Sequence, residues 1–127
     1  MRFLHTLVLM AALGLAPANL GASTGNDRLF LGAEALVRGR HELAAQTFAA
    51  VLAADPDNPY ARTRLALAKA GLGEIRQARA ELEKALAVRS DDLFALWSLG
   101  CLDLLAGQPA AADARFAAMG PADPGNL

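Results

Sequence analysis

Cysteine, histidine and aromatic side chains are scarce in this sequence, and their scarcity removes most of the chemistry a protein can do. One cysteine in 127 residues, Cys101, allows no internal disulfide. The two histidines are His5 and His41, so no cluster with metal-ligand spacing can be assembled. Twelve basic residues stand against thirteen acidic ones, a formal charge of −1. No basic stripe with interleaved aromatics is present, which excludes the electrostatic footprint of a nucleic-acid binder. No apolar run reaches the roughly 20 residues of a membrane-spanning helix.

What the chain does have is a repeat of 34 residues. In register the units are Gly25 to Asn58, Pro59 to Asp92 and Leu93 to Asn126. The pair Leu31-Gly32 recurs as Leu65-Ala66 and Leu99-Gly100. Gly39 recurs as Gly73 and Gly107. Ala44 with Phe48 recurs as Ala78 with Leu82 and Ala112 with Phe116. A fixed period of this length is the signature of a stacked array, in which each small unit buries its apolar face against its neighbours.

Apolar residues at three- and four-residue spacing make each unit two amphipathic helices joined by a short turn. The expected helices run over 27–38, 42–54, 59–70, 74–88, 92–106 and 109–119. Asn58 is placed to cap and Pro59 to open a helix, and Ser90-Asp91-Asp92 does the same job without a proline. Gly39, Gly73 and Gly107 follow the first helices, where a left-handed residue is commonly needed. Connections this short make neighbouring helices antiparallel. The fold class is all-α. Gly32, Ala66 and Gly100 are expected to face Ala44, Ala78 and Ala112 where paired helices come close, with Leu31, Leu65, Leu99, Phe48, Leu82 and Phe116 filling the space beside them.

A Cys–His pair is the one nucleophilic arrangement this composition permits. His41 opens the second helix and Cys101 lies on the fifth. Two helices intervene, at about 8–10 Å per step. The acidic residues Glu81, Glu83, Asp91 and Asp92 read as solvated faces and caps. The expectation is a protein that is not an enzyme and holds neither metal nor cofactor.

The Leu-Gly pair, the Ala-x-x-x-Phe segment and the late Pro56 and Pro124 resemble the tetratricopeptide repeat family, over Gly25 to Asn126. The early Trp of that pattern is Arg28, Arg62 and Leu96 here, and its first-helix Tyr is Ala35, Lys69 and Asp103. The resemblance implies an α-solenoid of three antiparallel hairpins stacked in a right-handed superhelix. It also implies a concave groove lined by the first helices, at Leu29, Leu36, Tyr60, Thr63, Leu67, Phe94, Trp97, Cys101 and Leu104, with Asn26, Ala33 and Ala70 beside them. Members that clamp a C-terminal carboxylate use Lys and Asn where this chain has Leu29, Ala33, Arg64, Phe94 and Ser98, so no such clamp is expected. An apolar, aromatic groove suits another protein or peptide with bulky anchors. It implies no small-molecule substrate and no nucleic acid.

Residues 1–22 have the layout of a secretory signal peptide: Met1-Arg2, an apolar run from Phe3 to Leu15, then Ala16-Pro17-Ala18. An uncleaved inner-membrane anchor is the alternative. No cysteine follows the run, which excludes lipid attachment of the bacterial lipoprotein type. The expected location is outside the cytoplasm, periplasmic or extracellular in a bacterium, with the mature chain beginning between Asn19 and Gly25. The function these features imply is an exported adaptor that scaffolds an envelope, secretion or pilus assembly. The alternatives are a small chaperone shielding an apolar segment of a secreted subunit, and a structural homodimer formed through the alanine-rich last helix.

Overall fold

Helix starts and stops follow the local chemistry of the chain closely. The computed structural model describes residues 24–120, so the signal-like segment and the tail after Gly120 lie outside the described residues. Six helices follow in order: α1 (Gly25–Val37), α2 (His41–Ala54), α3 (Pro59–Gly71), α4 (Ile75–Val88), α5 (Leu93–Leu105) and α6 (Pro109–Ala118). No strand occurs among the described residues, and no helix among them is long and apolar enough to cross a membrane. Asn58 and Asp92 cap α3 and α5 as expected, accepting from Ala61 N at 2.9 Å and Ala95 N at 3.0 Å. α1 starts two residues earlier than the apolar pattern suggested. Thr24 Oγ1 accepts from Asp27 N while Asp27 Oδ2 accepts from Thr24 N at 2.9 Å, a reciprocal cap legible in Thr24-x-x-Asp27. Gly39, Gly73 and Gly107 all have positive φ, so the glycine after each first helix reverses the chain in the left-handed region.

Each helix packs on the next, and α1 also touches α3. The result is three stacked antiparallel hairpins. The small residues recur for a different reason from close backbone approach. A Cβ at Gly32 would lie 2.7 Å from Phe48 Cζ, and one at Gly100 would strike the Phe116 ring. In the middle hairpin Ala66 replaces the glycine and Leu82 replaces the Phe. Each unit therefore trades volume between its two helices: glycine faces a ring, alanine faces a leucine. Leu65 and Leu99 are buried as expected. Leu31, by contrast, is 50% exposed.

The two places where the chain departs from the family pattern hold its charges. Arg62 Nη1 meets Glu81 Oε2 at 2.9 Å, and Lys69 Nζ lies 3.6 Å from Glu81 Oε1. One repeat later Leu96 replaces Arg62, and the Lys69–Glu81 positions carry reversed signs as Asp103 and Arg115. Asp103 Oδ2 meets Arg115 Nε at 3.0 Å, and Asp103 Oδ1 meets Arg79 Nη1 at 2.6 Å, so this carboxylate ties α5 to both α4 and α6. Asp103 is 1% exposed and the two arginines about a quarter exposed. Burial pushes its carboxyl up, but hydrogen bonds and charge from Arg79 and Arg115 outweigh that and hold it below the usual 3.8.

Candidate protein-binding groove

The first helices of all three hairpins share one open face. A shallow groove of about 370 Å³ crosses it, lined by Ala33, Leu36 and Val37 of α1, Tyr60, Arg64 and Leu67 of α3, and Phe94 of α5. Four residues read from the sequence as groove positions, Leu36, Tyr60, Leu67 and Phe94, come together here. Trp97 and Cys101 line an adjoining cavity of about 190 Å³ between α3, α4 and α5, with Ala70, Ser98 and again Leu67 in its wall. The Trp97 ring is half exposed and lies 6.3 Å from that of Phe94, so the aromatic surface is continuous from one cavity to the other.

Three expected positions fall elsewhere. Leu29 packs against the apolar cluster between the first two hairpins and borders a cleft with Val51, Ala54 and Asn58, at the start of α1 rather than in the groove. Thr63 is 1% exposed. Its hydroxyl lies 3.1 Å from the carbonyls of Pro59 and Tyr60 and accepts from Arg64 Nη1, so it braces the groove from behind. Leu104 is half exposed and borders neither cavity.

Arg64 entered the sequence reading only as a departure from the carboxylate-clamp pattern, and the structure gives it a larger place. Its guanidinium carbon lies 4.3 Å from the Tyr60 ring centroid and 3.8 Å from that of Phe94. The cation thus lies over two rings, within the distance that cation–π attraction favours. A signal for it was present: Tyr60 and Phe94 are 34 residues apart, hence at the same place in neighbouring hairpins, and Arg64 is one helical turn after Tyr60.

Nothing in this region assembles a reactive centre. His41 lies with its ring against Gly71 in the first junction, while Cys101 lines the second. Among the described residues no three His, Cys, Asp or Glu side chains are grouped as a metal site would need. The surface can bind by burial, ring stacking and one positive charge.

Solved structures with this arrangement include MamA. The fragment 41-end from Desulfovibrio magneticus RS-1 has a TM-score of 0.70 at 22% identity, over 89% of this chain and 61% of its own. A double mutant of the RS-1 protein gives 0.69 at 22% over the same shares. MamA from AMB-1 gives 0.64 at 24%, over 90% of this chain and 60% of its own. The chain thus spans about three fifths of the length of these structures, and at such identity the likeness is one of fold alone. No curated protein matches the sequence. The family profile described as tetratricopeptide repeat matches residues 35–100, more than half the chain. With three hairpins in unbroken register around a shared first-helix face, the chain belongs to the tetratricopeptide repeat family, a type of non-catalytic protein-interaction module.

Proposed function

We propose that the chain is an exported adaptor whose first-helix groove holds a segment of another protein during assembly of an envelope, secretion or pilus complex. The observation that carries this reading is the open face itself: Leu36, Tyr60, Leu67 and Phe94 from three successive helices line one groove and leave it uncovered by any described residue. Aromatic anchors on such a face are the side chains that most often dominate binding energy. Export is supported by the charged start, short apolar run and small-x-small site of residues 1–22.

The test uses a photo-crosslinking amino acid introduced in living cells at exposed Val37, on the groove, and at exposed Ala87, on α4 away from it. Adducts with another protein from position 37 and not from 87 support the adaptor. Adducts from 87 alone, or a soluble cytoplasmic product whose N-terminus is Met1, would sink it.

A second surface supports self-association. α6 leaves Ala110, Ala111, Ala114, Ala117 and Ala118 exposed, a flat apolar end of the stack of the kind that arrays cover with a polar cap or a neighbour. Ala114→Glu or Ala118→Glu should then shift a dimer toward monomer in analytical ultracentrifugation. A wild-type chain that sediments as a monomer at high concentration removes this reading.

A further inference from the structure

Arg64 holds a charge that the described part of the chain does not balance. Arg62 and Lys69, on the same helix, both face Glu81. Arg64 instead has one hydrogen bond, to Thr63 Oγ1 at 3.1 Å, and two aromatic faces. No carboxylate of the described residues lies within ion-pair distance of it. A guanidinium already held by two rings and a hydrogen bond loses less freedom on meeting a carboxylate, and its fork of N–H donors matches that group.

The adjoining cavity makes a second, independent demand. Ser98 lines it and is buried, and the Ser98 hydroxyl has no hydrogen-bond partner. A buried polar atom left unpaired costs free energy, so an occupant that pairs with it gains by entering. The rest of the wall, including Leu67, Ala70, Trp97 and Cys101, is almost wholly apolar. At about 190 Å³ the space suits one large side chain. Trp fits the demand best, because its indole N–H is a donor for the hydroxyl oxygen. At some of these lining positions the first junction carries a larger residue, such as Leu36 for Ala70, Phe48 for Leu82 and Leu67 for Cys101, while Gly32, Ala33, Thr63 and Ala68 are smaller than Ala66, Leu67, Trp97 and Leu102.

Resting on the groove as the protein-binding face, we infer that its occupant is a segment in which a large apolar side chain enters the cavity between α3, α4 and α5 while a neighbouring Asp or Glu side chain pairs with Arg64. The spacing follows from α3. Arg64 and Ala70 are six residues apart, about 9 Å along the helix axis. An extended segment covers that distance in two or three residues, at roughly 3.3 Å each. The acid therefore stands two or three positions from the anchor.

The test is fluorescence anisotropy with the full-length chain and labelled Gly/Ser peptides carrying one Trp and one Glu two residues apart. On the wild-type chain, replacing the peptide's Glu by Gln should weaken binding about tenfold, the scale of one charge-assisted hydrogen-bonded pair. Replacing its Trp by Ala should weaken it at least as much. Arg64→Met should abolish the Glu-over-Gln preference and keep the Trp-over-Ala one. Ala70→Leu, which copies Leu36, should do the reverse. Circular dichroism checks that both variants stay helical.

Equal affinity for Glu and Gln peptides overturns the inference, as does a Glu preference that survives Arg64→Met. So does stronger binding of a peptide whose only carboxylate is its C-terminus, which would make the site a terminus receptor. Failure of every peptide to bind also overturns it. If crosslinks from position 37 persist while Glu and Gln peptides bind alike, the adaptor reading stands and only this inference falls.

Discussion

The two junctions between successive hairpins use the same 34-residue plan and solve it differently. The first is filled around the Phe48 ring, with a cleft left at the start of α1 beside Leu29 and Val51. Ala35, Ala44, Phe48, Val51, Ala61, Leu65 and Ala68 form one buried apolar cluster, and the His41 ring closes its end over Gly71. The Phe48 ring also meets the Tyr60 edge at 6.3 Å. The second junction has Leu82 where the first has Phe48, and Ile75 with Leu105 where the first has His41 with Gly71. Both of those aliphatic side chains are exposed. An apolar core of Ala66, Leu82, Ala85, Ala95, Leu99 and Leu102 remains, but a cavity opens on the groove side and a buried Asp103 with its two arginines holds the helices together. One junction is sealed by volume and the other by charge. The functional surface lies over the one that volume leaves open.

The largest effect that would sharpen this contrast comes from emptying the sealed junction. Phe48→Ala should cost about 3–5 kcal/mol, since it leaves a void in a fully packed cluster. Leu82→Ala should fall toward the lower end of its class, about 2–3 kcal/mol, because a cavity already adjoins it and less packing is lost. Chemical denaturation of the two variants checks the order. Equal losses would mean that the second junction is as tightly packed as the first.

Removing the charge that ties the second junction comes next. Asp103→Asn should cost about 2–3 kcal/mol: it breaks two charge-assisted bonds, while the arginines, a quarter exposed, recover part of their hydration. The carboxyl is held below its ordinary value when folded, so its contribution is fully present above that value. It is lost as pH falls through the folded value. Thermal melts should show stability declining below about pH 4 in the wild-type chain and declining less in Asp103→Asn. Parallel acid limbs would show that this carboxylate carries no pH-dependent stability.

A smaller difference separates two alanines at one register position. Ala44→Leu overpacks the filled junction and should cost about 1–3 kcal/mol. Ala78→Leu borders the cavity and should cost less, because the added atoms have somewhere to go. The smallest stability effect is expected at Trp97. Its ring is half exposed, so Trp97→Ala should keep the helical circular dichroism signal and lower stability by no more than about 1 kcal/mol. Partner binding should weaken by at least about 1 kcal/mol if the ring is an anchor. Loss of folding would instead place Trp97 in the core.

The groove was legible in part because the repeat announces it. Leu36, Tyr60, Leu67 and Phe94 could be named because the resemblance to the tetratricopeptide repeat implies which places in the unit face the groove, and the register carries those places from one unit to the next. Thr63 shows where that reasoning ends. It occupies the place that Trp97 holds one unit later, yet a β-branched hydroxyl can bond back to its own helix and be buried, while an indole in the second junction cannot fit behind the helix and stays at the rim.

The order, number and pairing of the helices were determined by the sequence itself, because period, caps and left-handed glycines are local properties that survive without knowledge of neighbours. The Gly–Phe exchange is different: Gly32 and Gly100 were expected to face Ala44 and Ala112, and only the packed helices set them against Phe48 and Phe116. Tertiary structure alone decided that Lys69 and Asp103, substituted for an aromatic, would find Glu81, Arg79 and Arg115. It alone decided that Arg64 would be held between Tyr60 and Phe94 rather than by an acid. It also decided that the second junction would keep an opening. These outcomes depend on how volumes and charges from three or four helices meet at one point, and no single stretch of chain contains that sum.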